Sequence, residues 1–478
     1  MTETPKIENY QSLFSVGPEE ASKVLAAALS MGGEYADLFF EHKQFNKLSL
    51  LDSNVTNASN NTDFGVGIRV INNGHTGYSY CENTSMKSML EAAKSAAAIA
   101  ASNAPAIIAP VGFRELTSPN RYGIIKDWDS FDVEKKIPYL NYFDQQLRFE
   151  DTRVTNVMAQ IIDSKSQVLF YNSLGECFCD TRPRISFTAS CVMEECGINM
   201  SNSLSVSKMM GFEMLTDSLM QDCAERLAAK TAFLFEASRP KGGEMPVVMA
   251  KGASGVLLHE AMGHSFEADF NRKGISIFSD KMGKKICNSN ISIVDDGTVP
   301  FNRGALNFDD EGVPGQKTYM VKEGILTSSF LHDRISAKHF GVEPTGNGRR
   351  ESFRYAPVPR MRLTYMEPGN ATEEELISSV KRGIYCMDYS NGEVNIGAGD
   401  YSFFVKAGYL IENGKLTQPI RDINIMGNGP KTLASITGVA NNLAIEDAMW
   451  TCQKGESCPV SCGMPSVLVK KLTVGGKL

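Results

Sequence analysis

An α+β fold is predicted: an N-terminal region of helices and antiparallel strands, followed by a largely antiparallel β domain that carries one His-Glu-x-x-x-His helix. Three observations predict it. In the first 240 residues, helical stretches with clear start and stop signals alternate with short apolar strands. After Arg239-Pro240-Lys241-Gly242-Gly243, the plainest linker of the chain, short apolar runs separated by glycines replace any βα alternation. Within that second part, one apolar stretch, Val256-Leu257-Leu258-His259-Glu260-Ala261-Met262-Gly263-His264-Ser265-Phe266, reads as helix.

Taken in order, residues 18–31 open on Pro18-Glu19-Glu20 and close at Gly32-Gly33, the proper ends of a short helix. Strands are expected at 36–42 and 47–55. Two more, at 64–71 and 75–81, flank the hairpin turn Asn72-Asn73-Gly74. The alanine-rich segment 85–102 is helical, and 103–110, with its prolines, marks a boundary. A helix over 132–149 follows, with Pro138 near its start removing one hydrogen bond. Strands at 153–163, 167–171, 176–180 and 184–194 then form a meander, with polar turns at 163–166 and 172–175. Segment 216–237 returns to helix. Beyond the linker come a strand at 245–249, the histidine helix over about 252–270, and strands at 291–294, 317–321, 325–330 and 403–411. The expected units are 1–110, 111–240 and 241–478.

Composition narrows the function. The 478 residues suffice for two or three cores. A net charge of −7 argues against a nucleic-acid partner, and the lack of a long apolar run argues against a membrane span. Eleven scattered cysteines and no basic-then-apolar N-terminus point to a reducing cytoplasm.

The histidine stretch carries the chemistry. It holds two of the six histidines with an acid beside the first, a natural beginning for a metal site that activates water. On a regular helix, residues five apart point roughly 140° from each other, so His259 and His264 could not share an ion there. A π-bulge near Met262 or Gly263 would bring them together. A third ligand is still needed, and the candidates are Glu267, Asp269, Asp295, Asp296, Asp309, Asp310, His332, His339 and the cysteines Cys452, Cys458 and Cys462. The Asp295-Asp296-Gly297 and Asp309-Asp310-Glu311-Gly312 runs read as solvated turns, lacking the alternation of a calcium loop. Lys454 and the glycines around the cysteine cluster favour a thiolate there.

The chain resembles the TldD/PmbA family of metallopeptidases, in its zinc-bearing TldD-like branch. The resemblance is carried by His259-Glu260-Ala261-Met262-Gly263-His264, Glu267 to Gly274, Val294-Asp295-Asp296-Gly297-Thr298, Asp309 to Gly312, Pro344 to Ser352, Gly427-Asn428-Gly429-Pro430 and Leu472 to Gly476. It implies Zn2+ held by His259, His264 and Cys452, with Glu260 as the catalytic acid and base. Cys458 and Cys462 stand where the family has other residues. It further implies cleavage of unfolded or extended peptides with weak sequence preference. The expected assembly is a homodimer, or a heterodimer with an inactive PmbA-like paralogue. A metal-stabilised interaction protein and a zinc hydrolase of non-peptide amides are the competing functions. No substrate-binding residue is assigned, and Arg349 and Arg350, considered as oxyanion donors, are expected at the surface.

Overall fold

A computed structural model describes residues 6–127, 131–327, 329–395 and 398–475. The first half is built on four long strands, β1 (Tyr35–Leu51), β2 (Asn54–Asn72), β5 (Val154–Asn172) and β6 (Glu176–Glu195). With the shorter β3 (His75–Cys81), β4 (Arg114–Glu115) and β7 (Ile198–Lys208), they form one seven-stranded sheet in the order β3-β2-β1-β5-β6, with both β4 and β7 on β6. All pairs are antiparallel except β4 with β6. Segments expected on either side of the 103–110 boundary thus share a single sheet.

Strand periodicity of two sorts the side chains of β1. Leu38 and Phe40 pack beneath the helices α1 (Ile7–Phe14), α2 (Pro18–Leu29) and α3 (Met86–Ile99). Leu48, farther along the same face, packs beneath α4 (Val133–Glu150) and α5 (Asp217–Glu236). The helices start as their sequences direct. Glu20 accepts the Gly17 N–H at 3.0 Å, and Asp132 and Thr216 accept the N–H of Lys135 and Leu219. The opposite face, with Asp37, Phe39 and Glu41, meets the second half of the chain: Arg69 joins Asp37 to Glu311, and Glu41 accepts the Phe353 N–H at 3.1 Å.

The strands differ from expectation in length. The predicted strands at 36–42 and 47–55 belong mostly to one strand, β1, and the reversal falls at Asp52-Ser53, both in the left-handed region. The polar turn expected at 163–166 is mid-strand in β5. Its polar residues are neutralised in place: Lys136 donates to Asp163 at 2.6 Å, Asn46 to Asp163 at 2.7 Å, and Ser166 to Glu41 at 2.7 Å. A buried polar group with partners costs little, so the strand runs through. Strand β7, rich in serine and asparagine, was not anticipated.

The second half holds two six-stranded sheets. In one, Lys415–Asn428, Asp400–Glu412, Arg382–Val394, Gly243–Met249 and Val467–Gly475 follow one another, and the last pairs back onto Lys415–Asn428, closing a ring. Pairing is largely antiparallel, with Arg382–Val394 parallel to Gly243–Met249. The other sheet includes Ile293–Asp296, Leu363–Met366 and Ser461–Met464. The histidine segment lies in the core of this half, where Leu257, Leu258, Met262 and Phe266 are buried among Met361, Phe403, Ile425 and Val460. No described helix is long and apolar enough to cross a membrane.

The expected continuous helix over 252–270 with a π-bulge is not what forms. An α-helix covers Val256–Ala261, and Met262 leaves it at φ −136°, ψ −41°. A 3₁₀ turn then covers Gly263–Phe266, Glu267 is extended, and Ala268–Arg272 is a second short helix. The break at Met262, not a bulge, re-aims His264. Gly263 serves it through space and not through a positive φ. A Cβ there would lie 2.2 Å from Met361 Sδ and 3.1 Å from the Leu258 carbonyl oxygen. Gly263→Ala is expected to lower stability by about 1–3 kcal/mol, the range for overpacked cores, and to loosen His264. A thermal melt that matches the parent would remove this account of Gly263.

Candidate metal centre

His259 lies on the last turn of the Val256–Ala261 helix, His264 in the 3₁₀ turn, and Cys452 on the hairpin strand Thr451–Gln453. Their donor atoms all lie within 4.8 Å of one another, and the side chains are buried. Cys452 Sγ is 3.5 Å from His264 Nε2, and the two imidazole rings stand 5.3 Å apart and nearly perpendicular.

His264 is fixed from behind. Its Nδ1–H donates to Glu267 Oε2 at 3.0 Å, which leaves Nε2 turned toward Cys452. Lys454 Nζ sits 2.9 Å from the same carboxylate and 2.8 Å from Asp269 Oδ1, and donates to the Pro359 carbonyl at 3.0 Å. Burial acts to raise Glu267, but Lys454 and His264 outweigh it and hold the carboxyl at about 2. It is therefore an anion throughout the neutral range. Such an imidazole–carboxylate pair sets the tautomer and basicity of a metal-ligating histidine.

The sulfur is charged by its neighbours. Burial alone would raise the Cys452 thiol, and the facing imidazoles reverse this and bring it down to about 5. Cys458, directly opposite Cys452 in the hairpin, is pushed up to about 11 by burial, and Cys462 is also raised by burial. Neither belongs to the donor group. Lys454 does not meet the sulfur, as its sequence position suggested; it meets Glu267 and Asp269.

Whether the residues fit an ion is decided at His259. It is 4 % exposed, and neither ring nitrogen has a hydrogen-bond partner among the described residues. A buried imidazole without partners is costly, and a cation shared with His264 and the Cys452 thiolate would repay it. Nitrogen, nitrogen and sulfur are a donor set that suits zinc. The Glu260 side chain forms no hydrogen bond among the described residues. Its Oε2 is 3.9 Å from His264 Nε2, it is partly open, and it borders a narrow pocket with His259 and Thr451.

Family models match along the chain: PmbA/TldA metallopeptidase domain 1 over residues 36–100, the central domain over 126–232, and the C-terminal domain over 242–476. The metalloprotease TldD homolog of Haemophilus influenzae is 36% identical over 449 residues, 93% of each chain. The chain belongs to the PmbA/TldD metallopeptidase family. The zinc metalloprotease TldD homolog of Saccharolobus solfataricus is 28% identical over 95% of this chain and 99% of its own. In fold, the crystal structure of TldE from Thermococcus kodakarensis superposes with a TM-score of 0.75 at 17% identity, covering 96% of this chain and all of that one.

The other candidate ligands of this PmbA/TldD chain have different places. Glu267 and Asp269 stand behind His264 with Lys454. Asp295, fully buried, accepts from Arg362 N and Nε, Asn347 and Thr364. Asp296 accepts the Thr298 N–H and hydroxyl. Asp309 accepts three backbone N–H groups, and Asp310 meets Arg182 and the Arg350 N–H. The acidic runs expected as solvated turns are thus buried braces, a placement possible because each oxygen finds a donor. His332 is buried beside Phe330 and Phe340, and His339 is exposed. Arg349 and Arg350, expected at the surface, are 5 % exposed. The sequence offered no signal for Arg360, whose Nη2 donates to the Cys452 carbonyl at 2.7 Å and holds the ligand strand in place.

Proposed function

We propose that the chain is a zinc-dependent peptidase acting on unfolded or extended peptides, with His259, His264 and Cys452 as zinc ligands and Glu260 as general base and acid. The observation that carries this reading is the His259 ring, without a hydrogen-bond partner among the described residues and set beside a second imidazole, a thiolate and the Glu260 carboxylate. When bound, zinc would supply Lewis acidity and acidify a water at neutral pH.

The chain's own residues supply the rest. Glu260 Oε2 takes the water proton and returns it to the departing amine nitrogen. Glu267 holds His264 by its Nδ1–H, and Lys454 keeps Glu267 charged. The narrow pocket at Glu260 supports a thin, extended substrate. A peptide strand can satisfy its backbone groups along the protein, and a folded domain is excluded by size.

Zinc and cleavage are tested together. The purified protein should carry about one zinc per chain and cut an unstructured peptide, and a chelator should abolish the cleavage. Cys452→Ser is expected to drop the bound zinc below about one tenth per chain under the same dialysis, since a hydroxyl is a far poorer zinc ligand than thiolate. Cysteine-independent zinc loading would overturn the ligand set.

A further inference from the structure

Between the N-terminal sheet and the Thr451–Pro459 hairpin lies a second, wider cleft. Six of its lining side chains are cationic and three are acidic, and the acids are already engaged. Asp310 takes Arg182 at 2.5 Å and the Arg350 N–H, Glu41 takes Ser166 and the Phe353 N–H, and Glu351 takes the Ser457 N–H.

Arg184, Arg303 and Arg349 are left without any carboxylate partner among the described residues. Arg303 and Arg349 are nine-tenths buried and spend their donors on the hairpin and its neighbours: Arg303 Nε on the Trp450 carbonyl at 2.8 Å, Arg349 Nη2 on the Pro459 carbonyl at 2.7 Å. The Arg184 side chain makes no hydrogen bond among the described residues, and its Nε is buried. Burial and then Arg349 bring Arg184 down to about 10, and burial and then Arg184 lower Arg303, so the three guanidinium groups repel one another across the cleft. Charges of one sign gathered out of water cost stability unless an anion joins them.

The cleft adjoins the candidate metal centre. Thr451 lines both this cleft and the pocket at Glu260. An extended peptide advances about 3.3 Å per residue, so a chain held at Glu260 that continues past Thr451 enters the cleft the arginines line. Guanidinium forks match carboxylates in pairs of parallel hydrogen bonds.

We propose that Arg184, Arg303 and Arg349 form a subsite for a carboxylate of the bound peptide, either its C-terminal carboxylate or an acidic side chain a few residues from the cleaved bond. This rests on the peptidase reading, and Arg184, bound to nothing else, is the group that answers to the ligand.

The test uses full-length zinc-loaded protein carrying Glu260→Gln, and follows binding of one fluorescent unstructured peptide in three forms: free C-terminal acid, C-terminal amide, and amide with one internal glutamate. The acid or the glutamate form should bind at least tenfold tighter than the plain amide, and whichever does identifies the source. Adding Arg184→Met should bring the three forms within twofold, while Arg184→Lys restores part of the preference. Because Arg184 is repelled by its neighbours, Arg184→Met should melt no lower than its parent; a lower melting temperature together with an intact acid preference would mean a structural role and overturn the proposal. Equal affinity for the three forms overturns it as well, including the case in which inorganic phosphate alone binds in an Arg184-dependent way. If the wild-type protein cuts none of the peptides but the Arg184-dependent preference stands, the peptidase reading falls and the subsite remains.

Discussion

Glu260→Gln is expected to lower kcat for an unstructured peptide by about 10²–10⁴-fold, the usual worth of a positioned general acid–base, and to leave the zinc content unchanged. The substitution keeps shape and removes only the ability to carry a proton. Nothing else should suffer, because the Glu260 carboxylate makes no hydrogen bond among the described residues and stands 3.9 Å from His264 Nε2. It has no part in fixing His264 either, since Glu267 does that from the other ring nitrogen. Steady-state kinetics with elemental analysis on the same preparation reads both quantities. Loss of zinc with loss of rate would make Glu260 a structural support, and a full rate would take it out of the reaction.

Arg69→Met is expected to destabilise the chain by about 3–5 kcal/mol, the cost of leaving buried charge without its partner. The Arg69, Asp37 and Glu311 side chains are fully buried. Arg69 Nε donates to Asp37 Oδ2 at 2.9 Å and Nη1 to Glu311 Oε1 at 2.6 Å. With methionine in place, two carboxylates remain buried and lose the cation between them. Arg350, 3.8 Å from Asp37 Oδ1, and Arg334, whose N–H meets Glu311 at 2.7 Å, offer only partial relief. The network joins the outward face of β1 to the acidic run 309–311, so its loss should uncouple the N-terminal sheet from the half that holds the histidines. Urea unfolding followed by tryptophan fluorescence should show the earlier transition, because Trp450 adjoins the site. A shift below about 1 kcal/mol would mean that the charges are solvated.

Much of the fold was legible because local signals and burial agree. The helix that begins at Pro18 starts where proline and two glutamates place it, and the Asn72-Asn73-Gly74 hairpin turns where its sequence says. The long strands were broken in the reading because their middles are polar. Residues 163–166 resemble a turn in composition, yet they face Lys136, Asn46 and Glu41, which the sequence places far away. Those same middles, with Glu41, Lys43, Ser164 and Ser166, wall the arginine-lined cleft, which gives them a reason to be polar. A pattern of hydrophobicity cannot tell solvent from a partner across the molecule.

The histidine site shows the same limit. Residue type and spacing were enough to select His259, Glu260 and His264, and the family resemblance singled out Cys452; the structure brings the two imidazoles and the sulfur together. How the chain solves the five-residue spacing was not legible, since a break and a bulge satisfy one spacing equally well. In the structure the break is packed against Met361, which leaves no room for a side chain at Gly263.

The hairpin that bears Cys452 is pinned by guanidinium groups on three of its carbonyls and on the one just before it: Arg360 on Cys452 and Glu456, Arg349 on Pro459, and Arg303 on Trp450. None of these anchors depends on an ion, so the sulfur would keep its place with or without one. Exchange of the proposed zinc would then be a local event, unlike the collapse of a zinc finger stripped of its ion. Protein cycled through chelator and fresh zinc should therefore come back to life within the mixing time, with no refolding lag to wait out.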